Sequence, residues 1–230
     1  MKPNVVRANA HSCKEIFEAN LKNKGIETTD FQLELLRRFY EILILTNQRI
    51  NLVSRSKEQN TSILDQILDS LLAQGLVKVI APQIVLDLGS GGGFPGIPLA
   101  ILNPNIQFHL LEASHKRVSH LKKATGLLSL QNTQVIHDRV ENMPGTLLMR
   151  KYDLVIARSV VDLPTLVEWC RPLLDYKGIL VTYAGNQEAW CLERLLRAWP
   201  EPLKPLLVRS IDLGIRPEKT HRFLVMGNFG

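Results

Sequence analysis

The chain reads as a doubly wound α/β protein, and three observations carry that reading. From Ile84 onward, short β-branched runs alternate with helix-length polar segments; the first run ends in a glycine-rich loop; and after Pro200 two strand-like runs follow each other with no helix between them. Alternation of this kind builds a parallel sheet with helices on its faces, whereas two strands in direct succession pair antiparallel. Strands are expected at 84–88, 106–111, 133–137, 152–157 and 178–183, with helices near 96–103, 114–125, 163–174 and 187–198. Leu206 to Leu213 and His221 to Met226 supply the closing hairpin.

The first 80 residues follow a different period. Phe31, Leu35, Leu36, Phe39, Ile42 and Leu43 recur at helical spacing behind the cap-like pair Thr29-Asp30, which predicts a helix from 30 to about 48. A second helix is expected from Ser62 to Gln74, stopped at Gly75, and a shorter one from Cys13 to Lys24. Residues 1–80 are therefore expected to form a helical extension packed on a core domain of residues 81–230.

Composition narrows the class. With 230 residues, 45% hydrophobic and 22% charged, the chain suits one globular domain with a small appendage. No apolar stretch approaches the roughly 18 residues that span a bilayer, and Met1 to Cys13 is polar, so a cytoplasmic protein without a membrane anchor is expected. Cys13, Cys170 and Cys191 lack metal-ligand spacing and read as reduced thiols, with no metal site. A net charge of +6 favours a polyanionic partner. Between His109 and Arg158 eight Lys or Arg stand against four acids, and His115 to Lys123 gathers much of that charge on one helix.

The most informative segment is Ile84 to Pro98, where an apolar strand meets Asp87 and then glycines at 89, 91, 92, 93 and 96. A buried strand running into a loop without side chains lets a flat, polar cofactor approach main-chain amides. Two patterns overlap there. Gly91, Gly93 and Gly96 satisfy the dinucleotide pattern G-x-G-x-x-G, while Asp87, Gly89, Gly91 and Gly93 satisfy the D-x-G-x-G-x-G of S-adenosylmethionine enzymes. Glu112, at the end of the second strand, suits either as acceptor for ribose hydroxyls. A pyrophosphate on the helix N-terminus would be repelled by a nearby acid, whereas a sulfonium cation is favoured by one, so Asp87 leans towards S-adenosylmethionine. The closing hairpin leans the same way, because it fits a seven-stranded class I methyltransferase sheet.

Six short segments then resemble one family. Asn47-x-x-x-Asn51-Leu52-x-Ser54, Ile67-Leu68-Asp69-Ser70, the glycine loop through Phe94-Pro95-Gly96-Ile97-Pro98, Lys116-Arg117, Arg139-Val140-Glu141 and Ala157-Arg158-Ser159 are similar, in order, to the glucose-inhibited division protein B family. The resemblance covers roughly residues 20 to 185. It implies an S-adenosyl-L-methionine-dependent enzyme that modifies guanine N(7) in 16S ribosomal RNA of the small subunit; a monomer without a metal is expected. It also implies that Gly89, Phe94, Val140, Glu141 and Arg158 contact the cofactor, with Asp87, Gly91 and Glu112 as expected neighbours and Arg158 as the candidate catalytic residue. The chain departs from the family pattern at Gln66, where a His is usual, and at Ala184, where a Lys is usual.

Guanine N7 carries a lone pair and no proton, so its methylation needs alignment and electrostatics rather than a base. The sequence agrees: no nucleophile-base pair stands out, and Ala157-Arg158-Ser159-Val160 replaces the Asn/Asp-Pro-Pro-aromatic run of amino-group methyltransferases. A loop or single-stranded guanine is the expected target, since the major groove of A-form RNA is deep and narrow. Two other readings stay open at this point: an NAD(P)-dependent oxidoreductase using Gly91, Gly93 and Gly96, and a non-catalytic RNA-binding relative.

Overall fold

The structure is a computed structural model that describes residues 14–23, 25–50, 52, 59–143, 151–158, 160–184, 207–212 and 222–227. The helix expected at 187–198 lies outside the described residues, as do Ser54, Ser159, Cys13 and Cys191.

Among the described residues four helices come first. α1 covers residues 14–23 and buries Phe17 and Leu21. α2, Asp30–Asn47, starts at a reciprocal cap: the Thr29 hydroxyl accepts from the Gln32 amide while the Gln32 side chain accepts from the Thr29 amide. Its stripe of Leu36, Phe39 and Leu43 is fully buried. α3, Gln59–Leu71, and α4, Gln74–Ile80, replace the one helix expected to stop at Gly75. Gly75 instead falls in the first turn of α4. Burial of Ala73 and Val77 outweighs the roughly 1 kcal/mol that glycine costs a helix, and the left-handed stop is Ala81, with φ 49°.

The sheet follows the expected rhythm. Its strands are β1, Ile84–Leu88; β2, Gln107–Glu112; β3, Thr133–His137; β4, Tyr152–Arg158; β5, Leu174–Ala184; β6, Leu207–Asp212; and β7, Arg222–Gly227. They lie in the order β3-β2-β1-β4-β5-β7-β6. The first five are parallel, and β7 is antiparallel to both β5 and β6. Among the described residues three helices cross between parallel strands: α5, Gly96–Leu102; α6, His115–Leu127; and α7, Leu163–Cys170. α7 stops short of the expected 174 because Leu174 already pairs with Tyr152 as the first residue of β5.

Three apolar clusters set the layers. One packs α4 and α5 on Val85, Phe108, Leu154, Ile156 and Val181 of the sheet; another packs α7 on the opposite face, against Leu86, Val155 and Leu180. The third joins α1, α2 and α3 to Phe94, Ile97 and Ile101 of the loop and α5 and to Leu121 and Ala124 of α6. The N-terminal helices thus share one core with the helices that cross the sheet. β1 lies where the strand order turns: β2 and β3 go to one side, β4 and β5 to the other. In sheets of this type, ligands bind beyond the C-terminal ends of the strands at that turn.

Among the described residues no helix is long and apolar enough to cross a membrane. Among them, too, no group of three or more His, Cys, Asp or Glu is placed to hold a metal ion.

Candidate functional site

β1 runs straight into the glycine loop. The amides of Gly89 and Ser90 both donate to the Leu111 carbonyl, at 2.9 and 3.0 Å, which turns the chain at the sheet edge. Gly89, Gly91 and Gly93 have φ of 75°, 56° and 99°, whereas Gly96 is not among the positive-φ residues. At Gly89 space is also closed, since a Cβ would stand 2.9 Å from Val160 Cγ2. Gly96 is needed for a different reason: a Cβ there would strike Leu110 and the Asp87 carboxylate. The three glycines of the sulfonium pattern therefore shape the loop, and the last glycine of the dinucleotide pattern lets α5 settle on the sheet.

Two carboxylates brace this loop from behind. Asp87 is fully buried and its Oδ2 accepts from the Gly96 amide at 3.0 Å. Burial without full compensation pushes its carboxyl up to about 7, and Oδ1 has no hydrogen-bond partner among the described residues. Glu112, at the end of β2, accepts from the Gly91 amide at 2.9 Å through Oε2 and from the Ser114 amide at 2.8 Å through Oε1. Each Glu112 oxygen keeps a further lone pair for a hydroxyl. Arg117 stands 3.9 Å from Oε2. A third support comes from α6, whose buried His120 ring meets the Gly92 carbonyl at 3.2 Å; burial pushes His120 below the usual imidazole range.

Beside the loop lies an open cleft of about 280 Å³, over the C-terminal ends of β1 to β4. Four expected residues line it: Gly89, Glu112, Val140 and Glu141. Val140 and Glu141 form a single 3-10 turn after β3, which brings them across from Gly89. Arg117, Val160 and Trp169 also line the cleft; Arg117 is named in the sequence only within the family-like pair Lys116-Arg117, without a site role, and Val160 and Trp169 are not expected there. The signal available for Val160 was its place two residues beyond Arg158.

The other four expected residues stand apart from this wall. Gly91 is in the loop with its amide on Glu112, and Asp87 lies beneath it. Phe94 is only 4% exposed and packs on Phe39 of α2, ring centroids 5.7 Å apart. Arg158 ends β4 with its guanidinium 5.1 Å from the centre of the Phe94 ring and 6.0 Å from that of Tyr183. Its Nη2 donates to Gln66 Oε1 at 2.7 Å. Phe94 and Arg158 thus make a second group, on the side of α3, next to the loop.

These residues suit an adenosine-bearing cation better than a dinucleotide. The Gly96 amide at the start of α5, which a pyrophosphate would need, is already taken by a carboxylate. The fold is that of the α/β methyltransferases. An O-methyltransferase from Bacillus cereus in complex with SAH has the same fold, with a TM-score of 0.56 at 16% identity over 82% of this chain and 90% of that one. A SAM-dependent methyltransferase from Aquifex aeolicus gives a TM-score of 0.52 at 14% identity, over 69% and 93%.

Sequence comparison names the family. The GidB family model, rRNA small subunit methyltransferase G, matches residues 32–200, and the chain belongs to that family. The ribosomal RNA small subunit methyltransferase G of Bacillus licheniformis is 34% identical over 168 residues, 73% of this chain and 70% of its own. That of Chlorobaculum tepidum is 36% identical over 171 residues, 74% of this chain and 76% of its own.

Proposed function

We propose that this protein transfers the methyl group of S-adenosylmethionine to N7 of a guanine in 16S ribosomal RNA of the small subunit. It does so on a seven-stranded class I methyltransferase sheet, as a cytoplasmic monomer that needs no metal. The supporting observation is the cleft between Gly89, Glu112 and Val140-Glu141, at the turn of the strand order, in a chain of the rRNA small subunit methyltransferase G family. The spare lone pairs of Glu112 accept from ribose hydroxyls, and the bare backbone at Gly89 admits the amino-acid end of the cofactor. Val140 and Glu141 border the base. When bound, S-adenosylmethionine supplies a methyl group made electrophilic by the adjoining sulfonium. The acceptor nitrogen has no proton to lose, so the protein's part is to hold, align and screen the reactants from water. Arg158 stands at the end of β4 beside the loop and offers a cation to an oxyanion of the reactants.

The test is methyl transfer from labelled S-adenosylmethionine to small-subunit RNA lacking the modification, both naked and assembled. Incorporation at one guanine, with strand scission there after borohydride and aniline treatment, is the expected result. Gly89→Asp, which fills the cleft wall, should abolish incorporation and S-adenosylhomocysteine binding. Stabilisation by NAD(P) and not by S-adenosylhomocysteine would restore the oxidoreductase reading. Binding of both RNA forms without transfer would restore the non-catalytic one.

A further inference from the structure

We propose that Gln66 is a positioning residue for Arg158, fixing the guanidinium through a neutral oxygen so that its full charge stays available to an oxyanion of the reactants. The proposal rests on the functional reading above. Arg158 is held on three sides. Phe94 and Tyr183 present ring faces at 5.1 and 6.0 Å, and Gln66 Oε1 accepts from Nη2 at 2.7 Å. A guanidinium has five N–H donors and no acceptor, so only the oxygen of the amide can face it. Among the described residues no carboxylate lies within ion-pair distance of Arg158. One hydrogen bond and two ring faces therefore set its direction while leaving most of its donors uncommitted among the described residues; the buried Asp87 carboxyl acts on it through space without an ion pair.

The brace behind Gln66 is built for this task. Gln66 lies on α3, and its carbonyl accepts from the hydroxyl of the fully buried Ser70 one turn later. The Ser70 carbonyl in turn accepts from the Tyr183 hydroxyl at 2.9 Å. One turn of α3 thus fixes both the amide that holds Arg158 and one of the rings flanking it. A carboxylate in place of the amide would hold the guanidinium at least as firmly, but it would cancel the charge. An aliphatic side chain would leave the charge and lose the direction. The oxyanion is either the carboxylate of the cofactor or a phosphate of the RNA, two sources of one chemistry.

Gln66→Glu and Gln66→Leu separate holding from charge. For Gln66→Glu we expect a melting temperature at or above that of the parent, because the neutral acceptor of the guanidinium becomes a carboxylate and the hydrogen bond an ion pair. We also expect a loss of binding of roughly tenfold or more, the scale of a lost charged contact. A rise in Kd for S-adenosylhomocysteine, read by calorimetry, identifies the cofactor carboxylate. An unchanged Kd with a raised KM and Kd for small-subunit RNA identifies the phosphate. For Gln66→Leu we expect kcat to fall by roughly tenfold with little change in KM, since charge is kept and alignment lost. Parent-like binding and turnover in both variants would overturn the proposal. So would activity that falls in Gln66→Glu only in step with a falling melting temperature, because Gln66 would then merely stitch α3 to the sheet. Absence of methyl transfer by the parent protein would sink the functional reading instead, and the two equilibrium binding arms would still decide the role of Gln66.

Discussion

Asp87 and His109 are buried ionisable side chains that titrate in opposite senses over nearly the same pH range. Burial pushes the Asp87 carboxyl up to about 7, and burial, helped by Lys151, pushes His109 down to about 4. An acid with a raised folded value stabilises the fold below its unfolded value near 3.8 and loses that contribution as pH rises through about 7. A histidine with a depressed folded value does the reverse: its contribution is present above about 6.5 and is lost as pH falls towards 4. In the parent the two partly cancel. Asp87→Asn should therefore uncover the histidine slope, with the stability of the variant relative to the parent rising by about 2–4 kcal/mol between pH 4 and pH 8. Denaturant titrations across that range check this, and a constant difference would mean that Asp87 ionises like an exposed acid. At this scale the sequence was informative where backbone alone matters. Gly89 and Glu112 could be placed from strand ends, but the directions of Phe94 and Arg158 depend on α2 and α3, which no local pattern ties to β4.

α5 is short, apolar on all sides and pressed onto the sheet, every residue from Gly96 to Leu102 being buried. Gly96 makes this approach possible, since a methyl group there would strike Leu110 and Asp87. Gly96→Ala should lower stability by about 1–3 kcal/mol, as overpacking does, and should weaken the Asp87 brace as well. Gly126→Ala is the matching control, because a Cβ at that position in α6 meets nothing within 4 Å. It should stabilise by about 0.4–1 kcal/mol through helix propensity and a less flexible unfolded chain. Equal effects of the two substitutions in thermal melts would contradict the packing argument. The strands were legible because buried parallel strands carry continuous apolar runs, such as Leu154 to Ala157 in β4. Gly75 and the end of α7 depart from the sequence expectation for one reason. In both places tertiary burial, of Ala73 and Val77 and of Leu173 and Leu174, decided between local conformations that the sequence leaves close in energy.

On the scale of the molecule, the helices before β1 are part of the same solid as the sheet. Phe39 packs on Phe94, Gln32 Nε2 donates to the Leu102 carbonyl at 3.2 Å, and Gln66 and Ser70 meet Arg158 and Tyr183. A protein comprising residues 81–230 alone should accordingly show no cooperative thermal transition by circular dichroism; a sharp melt near that of the full chain would show that the region folds independently. The change of period at residue 80 was plain in the sequence, but such a change marks a change of secondary structure and says nothing about where cores divide. The sheet order carries one more consequence, for biosynthesis. β7 lies between β5 and β6 although it is made after both, so the row of amides and carbonyls along β5 from Ile179 to Ala184 stays open on the growing chain until Arg222–Gly227 arrives to cover it. During that interval β6 has no place in the sheet, and the newborn chain carries an exposed strand edge that could pair with a neighbour. The window for misassembly is set by the time taken to translate from Ala184 to Gly227.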